Sequence, residues 1–123
     1  MIAIMRLEEN MDNINQDVEA YIEKYPDEIK TMFIKLRELI ISSTEAKVEE
    51  KLWAKLPSYY VGEKFIRLLP FKDHINIEAS AIAENKEELT SYKLTPKGML
   101  QVSVKQELPE NTLKIIFKET LTK

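Results

Sequence analysis

The sequence predicts an α+β fold, a two-layer sandwich in which an antiparallel sheet of about five strands carries N-terminal and C-terminal helices on one face. Residues 17–42 repeat their apolar positions every three or four residues, whereas residues 48–79 alternate them. A second helical pattern follows at residues 109–121. Because the chain has only two glycines and no linker-like tract, we expect one domain at residues 17–123, preceded by an N-terminal extension of residues 1–16.

Two helices are expected at the start of the domain. The first spans residues 17–25 and has Asp17 as its N-cap. Pro26 suits the first position of the second helix, which is expected to end near Ser42. The apolar faces of both helices follow helical spacing and consist of Val18, Tyr21, Ile22, Tyr25, Ile29, Met32, Phe33, Leu36, Leu39 and Ile40.

A first strand is expected at residues 48–53, where apolar and polar side chains alternate. The alternation places one acid, Glu50, among the inward-facing side chains. Pro57 and Ser58 are expected to break the chain after this strand. Three aromatic residues cluster around the break, where core packing is the commoner interpretation: Trp53, Tyr59 and Tyr60.

Two hairpins are expected next. Gly62 can take the positive φ of a two-residue turn, and Lys72 and Asp73 form a second tight connection without glycine. Closing both turns assigns one face to the core, with Tyr59, Val61, Ile66, Leu68, Pro70, Ile75, Ile77 and Ala79. The opposite face, called the mixed face below, carries Tyr60, Phe65, Arg67, Leu69, Phe71, His74, Asn76 and Glu78. A one-residue slip would exchange the two sets.

The C-terminal part is expected to add a helix, a strand and a helix. Residues 81–91 read as a short helix that follows Ser80, and the next residues, as far as Gly98, form a loop. A strand then alternates, and Pro109 begins the last helix. The expected core residues of this part are Ile82, Leu89, Leu100, Val102, Val104, Leu113, Ile116, Phe117 and Leu121.

His74 is the single histidine and the first candidate for chemistry. Glu78 follows on the same side of the strand, but four residues span about 13 Å, too far for both to hold one metal ion. Asp73 precedes it in the turn, and a Ser-His-Asp arrangement has no support in the sequence. We therefore expect a structural role near Phe71, with the ring partly exposed and one hydrogen bond to a turn backbone group or a neighbouring strand. A place in a binding surface is the alternative, ahead of catalysis or metal ligation.

Arg67 and Glu78 are predicted cross-strand partners on the mixed face. They form either an exposed ion pair of small energetic value or the polar anchors of a ligand or partner surface that includes Tyr60. Glu50 likewise has two interpretations. It is either a buried functional carboxylate, or the predicted alternation fails near Pro57.

Acidic residues are concentrated at the N-terminal end. Residues 1–30 hold eight acids and three bases, a net charge of −5, whereas residues 31–123 have a net charge of +2. This distribution disfavours nucleic acid as a partner. Glu19 and Glu23 are four residues apart on the first helix, so their carboxylates could hold a hard cation, although solvated acids are commoner.

Several classes of protein are disfavoured. No segment approaches the roughly 20 apolar residues of a membrane span. The absence of cysteine is compatible with a reducing cytoplasm, where we expect the protein to reside. No phosphate loop, metal-ligand spacing or nucleophile motif occurs, so the sequence does not predict an enzyme.

Four stretches, taken in order, resemble the YdhG-like domain family of unknown function: PDEIKTMFIKLRELI, EEKLWAKLPSYY, FKDHINIE and YKLTPKGMLQVSVKQELPENTLKIIFKE. The resemblance covers residues 17–120. Its strongest elements are Lys72 with His74, Pro57 after an acidic strand, and Lys97-Gly98 before the last strand. The candidate binding surface is Glu50, Tyr60, Arg67, Lys72, His74, Glu78 and Lys97.

The resemblance implies a small cytosolic α+β protein, and some members of the family are described as frataxin-like intracellular iron chaperones. Frataxins bind iron weakly through an acidic ridge on the first helix. On this chain the ridge would comprise Asp17, Glu19 and Glu23, with iron as cofactor or cargo and an iron-accepting protein as partner. The competing interpretation is a small-molecule or protein binding module that uses the mixed face without a metal.

One short stretch departs from the family pattern. Relatives tend to have an aromatic residue and then glycine before the residue that precedes Pro57. Here those positions hold Ala54 and Lys55, and Trp53 stands one place early.

Overall fold

The computed structural model describes residues 14–123 and confirms the predicted α+β class. The helices are α1 (Gln16–Ile22), α2 (Asp27–Ser42) and α3 (Glu110–Thr122), with a 3-10 segment at Ser80–Leu89. The strands are β1 (Glu49–Trp53), β2 (Leu56–Val61), β3 (Lys64–Pro70), β4 (His74–Ala79), β5 (Lys93–Leu94) and β6 (Leu100–Ser103). The described residues thus form six strands, one more than the predicted number.

The strands form one antiparallel sheet in the order β1-β2-β3-β4-β6-β5. The β3–β4 register pairs Arg67 with Glu78 and Leu69 with Asn76, as the sequence predicts. Gly62 has a φ of 62° in the β2–β3 turn, again as expected. The 3-10 segment carries the chain from β4 to the far edge of the sheet, so that β6 pairs with β4.

The core lies between one face of the sheet and the three α-helices. All the core-face residues predicted from the hairpin register are buried except Val61, which is half-buried. The helices contribute the predicted stripes, including Phe33 and Phe117, which are fully buried. Burying an aliphatic or aromatic side chain of this size contributes about 2 kcal/mol, so this layer dominates the stability of the fold.

The predicted break at Pro57 and Ser58 is wrong. The chain instead reverses at Ala54 and Lys55, and β2 begins at Leu56, opposite Trp53. Ala54 and Lys55 have φ values of 49° and 68°, the left-handed conformation that a type I′ hairpin turn requires at both central positions. Pro57 fits within β2 because the β3 pairing of that strand starts only at Ser58.

The beginning of α1 also differs from the prediction. The N-cap is Asn15, not Asp17, because the Asn15 Oδ1 accepts hydrogen bonds from the backbone N–H groups of Asp17 and Val18. The helix ends at Ile22 and so excludes Tyr25. Residues 14–16 therefore belong to the packed domain, and the rest of the expected extension, residues 1–13, lies outside the described part of the chain.

Two predictions for the C-terminal part need correction. The expected helix after Ser80 is a 3-10 segment with a kink at Asn85, whose side chain bonds the Ala81 carbonyl and the Glu119 carboxylate of α3. The expected loop before Gly98 contains β5, which pairs with β6. The predicted anchors of the 3-10 segment, Ile82 and Leu89, are buried.

The β1–β2 turn predicts the effect of one substitution. Lys55→Gly is expected to raise the free energy of unfolding by about 1 kcal/mol, because glycine adopts a positive φ without the steric cost that lysine bears. Glu63→Gly is the matched control, since Glu63 occupies the second position of the β2–β3 turn without a positive φ. The control is expected to lower stability or leave it unchanged. Urea unfolding measures both, and equal effects of the two variants would contradict this explanation.

Candidate functional site

The mixed face is the side of the sheet away from the helices. All three α-helices contribute buried residues to the single core cluster on the other side, and within residues 14–123 none of them packs on the mixed face. The register extends this face onto β1 and β2, where Lys51 pairs with Ser58 and Trp53 with Leu56. The face is therefore a continuous surface of polar and aromatic side chains.

Arg67 is the centre of this surface. Its guanidinium carbon lies 3.9 Å from the ring centroid of Trp53 and 3.9 Å from that of Phe65. Its Nε donates to the Ser58 Oγ at 3.2 Å, and its Nη2 donates to the Tyr60 hydroxyl at 3.0 Å. These contacts fix the orientation of the guanidinium, because planar stacking and hydrogen bonds restrain it together.

The predicted pair of Arg67 with Glu78 is present, but it is not an exposed ion pair. The Nη1 of Arg67 lies 3.5 Å from the Glu78 Oε1, and the arginine side chain is only 10% exposed while that of Glu78 is 42% exposed. The ion pair is thus one of five contacts that hold the arginine. Of the two interpretations considered from the sequence, this geometry favours polar anchors within a binding surface.

Trp53 contradicts the prediction of core packing. Its side chain is 50% exposed, whereas Tyr59 is fully buried on the core face and Tyr60 lies on the mixed face. The three aromatics therefore do not form one cluster. The alternation of β1 contained the correct signal, because it places Trp53 on the same side as Lys51 and opposite Glu50.

Asn76 carries the one buried side-chain oxygen that has no hydrogen-bond partner in the described part of the chain, its Oδ1. The residue is 9% exposed and lies between Leu69 of β3 and Gln101 of β6. A buried acceptor without a partner costs about 1–3 kcal/mol, so natural proteins seldom leave one unoccupied. The sequence placed Asn76 on this face but could not show that its acceptor is unpaired.

His74 lies near Phe71 on the mixed face, as predicted, and its side chain is 22% exposed. The two rings stack with centroids 4.5 Å apart and planes inclined by 13°. The expected hydrogen bond to a backbone group or neighbouring strand is wrong, since the partner of Nδ1 is the Asp73 Oδ1 at 2.7 Å. That hydrogen bond is the main reason why the pKa of the Asp73 carboxyl lies below its ordinary value.

The two candidate lysines lie at opposite ends of the sheet. Lys72 is exposed in the turn between β3 and β4. Lys97 lies beside the other end, where it lines a cleft of about 350 Å³ together with Phe65 and Glu78. Phe65 and Glu78 therefore connect the Arg67 cluster with this cleft, whereas Lys72 belongs with His74 and Phe71.

Glu50 points inward, as the alternation of β1 predicts, and so belongs to the core and not to the mixed face. Its two carboxylate oxygens accept hydrogen bonds from the Arg37 guanidinium, at 2.6 Å from Nε and 3.1 Å from Nη2. They also accept hydrogen bonds from the Tyr59 hydroxyl and from the Asn15 N–H, both at 2.8 Å. Burial, followed by the charge of Glu50, raises the pKa of Tyr59 well above its ordinary value, so this hydroxyl remains a donor. The network is a structural link among α1, α2, β1 and β2.

The acids proposed for iron are exposed on and beside α1. Glu19 and Glu23 share one side of the helix, but Asp17 precedes Glu19 by two residues and so projects in another direction. The Glu23 carboxylate lies 3.8 Å from the Lys30 Nζ. In residues 14–123, no group of three or more histidine, aspartate or glutamate side chains is placed so that it could hold a metal ion.

Comparisons with family models, curated proteins and solved structures found no match to this chain. The YdhG-like resemblance therefore stays a prediction drawn from the quoted stretches of sequence. Within residues 14–123, no helix combines the length and the apolar character that crossing a bilayer requires. The candidate site rests on the geometry of the mixed face.

The core network predicts that substituting two acids at neighbouring positions of β1 lowers the stability of the fold by very different amounts. Glu50→Ala is expected to lower the free energy of unfolding by about 3–5 kcal/mol, because it removes a buried carboxylate that pairs with the Arg37 guanidinium and accepts hydrogen bonds from Tyr59 and Asn15. Glu49→Ala is the matched control and should cost less than about 1 kcal/mol, since among residues 14–123 Glu49 makes only a surface ion pair, with Lys51 at 3.6 Å. Chemical denaturation measures both. Equal costs would show that the buried pair does not stabilise the fold.

The His74 contacts predict a pH effect that can be assigned to one carboxyl group. Because the pKa of Asp73 is lowered in the folded protein, its ionised form stabilises the fold at higher pH, and this contribution is lost as the pH falls through the folded-state pKa. His74→Ala should return the Asp73 pKa toward its ordinary value and, through loss of the Phe71 stack, cost about 1 kcal/mol.

NMR titration of the side-chain carboxyl carbons measures this effect. Glu119 provides an internal control, because its pKa is lowered mainly by Asn85 and should not respond to the substitution. An Asp73 pKa that stays lowered in His74→Ala would show that His74 is not its cause.

Proposed function

We propose that this protein is a binding module, without a catalytic step of its own, whose ligand site is the mixed face. The observation that carries the proposal is the position of Arg67, clamped between Trp53 and Phe65 on a face that no described helix covers. Recognition surfaces characteristically combine aromatic side chains with arginine and a few fixed polar groups.

The stacking of Arg67 on two rings supports recognition because it fixes the orientation of the guanidinium before a ligand binds. A guanidinium has five N–H donors, and the contacts of Arg67 with Ser58, Tyr60 and Glu78 use three of them. At least two donors therefore remain for a ligand. Because stacking already restrains the side chain, binding loses little of its conformational freedom.

The exposed aromatic side chains support the same face. The structure describes three exposed large apolar residues, and two of them, Trp53 and Phe71, lie on the mixed face, while Ile115 lies on α3. The Asn76 Oδ1 adds an acceptor without a partner. Together these groups offer apolar contact, hydrogen-bond donors and an acceptor, the composition of a small-molecule or peptide site.

Iron binding by the acidic ridge rests on the family resemblance alone. The geometry of α1 adds little to it, because Asp17 is directed away from Glu19 and the Lys30 ammonium neutralises part of the charge of Glu23. The mixed face is therefore the better supported of the two candidate sites. The experiment below also includes a titration with ferrous ion, which tests the iron interpretation.

The test is ¹⁵N NMR of the full chain with a chemically varied fragment library, and separately with ferrous ion. Bound fragments are expected to shift amides of β1 to β4 and the Trp53 indole N–H. Trp53→Ala should weaken this binding about tenfold, the scale of losing one stacking contact. Ile115→Ala is the matched control, because the two side chains are equally exposed, 50% and 52%, on opposite sides of the domain.

Two outcomes would contradict the proposal. The first is fragment binding that shifts the helices and leaves the mixed face unchanged. The second is ferrous ion broadening confined to the region of Asp17, Glu19 and Glu23, with no fragment on the sheet, which would support the iron interpretation instead.

A further inference from the structure

We infer that the ligand of the mixed face is a planar aromatic anion that binds between Trp53 and Phe71, an inference that rests on the proposed function. The two residues lie at the same end of the sheet, because the β1–β2 and β3–β4 turns both close that end. Four observations define the chemistry of this part of the face: the planar groups stacked on the two rings, the apolar side chains between the rings, the local charge and the Asn76 carboxamide.

Both rings are held from one side by a planar group. Trp53 stacks on the Arg67 guanidinium at 3.9 Å, and Phe71 stacks on the His74 imidazole at 4.5 Å. Half or nearly half of each side chain is nevertheless exposed, 50% for Trp53 and 44% for Phe71. Each ring is thus oriented by its partner and still has surface available for a ligand.

The space between the rings has an apolar floor. Trp53 belongs to β1 and Phe71 follows β3, so their backbones are two strand spacings apart, roughly 10 Å. Leu56, which pairs with Trp53, and Leu69, two residues before Phe71, lie between them and are only partly buried. The inferred ligand would place a flat ring system over these leucines, with its edges against the two aromatic side chains.

The charge at this end of the sheet is positive. The two turns contribute Lys55 and Lys72, both exposed, and neither has an ion-pair partner among residues 14–123. Their one acid, Asp73, is hydrogen-bonded to His74. The arginine behind the Trp53 indole also offsets the negative face of that ring, so the ring accepts an electron-rich π system better than a second cation.

The Asn76 carboxamide completes the match. It lies next to Leu69 across the β3–β4 pairing, and its Oδ1 has no partner. Rotation about its last side-chain bond can turn either the oxygen or the Nδ2 toward a ligand. A ring that bears an N–H or O–H group near its anionic substituent would satisfy this acceptor.

The experiment follows the single indole N–H signal that this chain can give, because Trp53 is its one tryptophan. The full chain is titrated with indole-3-acetate and with adenosine monophosphate. Both probes have a planar aromatic group and an anionic group, but the first is a carboxylate and the second is a nucleotide. The matched probes are neutral indole-3-acetamide and adenosine, and non-aromatic acetate and inorganic phosphate. Saturable shifts are expected with at least one aromatic anion and should be at least about fivefold weaker with its neutral or non-aromatic counterpart.

Two substitutions then test which residues contact the aromatic part and the anionic part of the ligand. Phe71→Ala and Lys72→Gln are each expected to raise the dissociation constant at least about fivefold. Ile115→Ala and Lys114→Gln on α3 should leave it unchanged, because both residues are exposed on the opposite side of the domain. Neither test variant changes the core, so loss of the fold does not confuse the result.

The inference is overturned by any of three results. If neutral and anionic probes bind equally well, the ligand does not need a negative charge. If the indole signal responds only to acidic peptides, the ligand is a protein segment and not a small molecule. An indole signal that moves with protein concentration alone would identify a second copy of the chain as the occupant. In the first two cases the mixed face still binds a ligand, so the proposed function stands. A second copy on the face, or probes and library fragments that do not bind to the mixed face at all, would overturn both.

Discussion

The two-residue period of β3 and β4 is the constraint on which the rest of the structure depends. Ile66, Leu68, Ile75 and Ile77 are fully buried under the helices, and this fixes the register of both strands. Every intervening side chain must then point to the other side of the sheet. Because the described helices all pack on one side, the same hydrophobic driving force that forms the core also assembles the polar and aromatic mixed face.

Within residues 14–123, the core contains a strongly polar element, the network of Arg37 and Glu50. Two charges removed from water stabilise a fold only when their hydrogen bonds are fully satisfied. Here the carboxylate has four donors, and one of them, the Asn15 N–H, comes from the residue whose side chain also caps α1. The network therefore connects the start of the domain to the edge strand, and β1 in turn carries Lys51 and Trp53 on the mixed face.

Much of this architecture could be predicted because it follows from local patterns. Alternation of apolar residues placed the β3–β4 register and the inward position of Glu50, and helical spacing placed the stripes of α2 and α3. A glycine marked the β2–β3 turn correctly. By contrast, the β1–β2 turn was missed because Ala54 and Lys55 occupy left-handed positions without glycine, so nothing in the sequence signals the reversal.

The remaining differences arise where a short segment or a long-range contact decides the structure. The strand β5 has only two residues, too few to show an alternation. Asn15 and Asp17 are both good N-caps, and the tertiary hydrogen bond from the Asn15 side chain to the Glu50 carbonyl favours the first. For Trp53 two sequence signals conflicted, and the pleat of β1 outweighed the tendency of aromatics to cluster in a core.

The binding interpretation likewise depends on contacts that no sequence pattern contains. The stack of Arg67 between two rings, the pairing of His74 with Asp73 and the unpaired oxygen of Asn76 appear only once the strands are side by side. The sequence predicted which residues share the face. It could not predict that one arginine among them would be almost buried while a tryptophan remained half-exposed.

The accessibility of the mixed face tests this account most directly, and the single tryptophan of the chain reports on it. Quenching of Trp53 fluorescence by acrylamide, measured on the full chain at several protein concentrations, should show a half-exposed indole at every concentration. Resistance to acrylamide typical of a buried tryptophan would show that another part of the chain covers this face. Resistance that appears only at high concentration would show that a second copy covers it, and either result would contradict a surface free to receive a ligand.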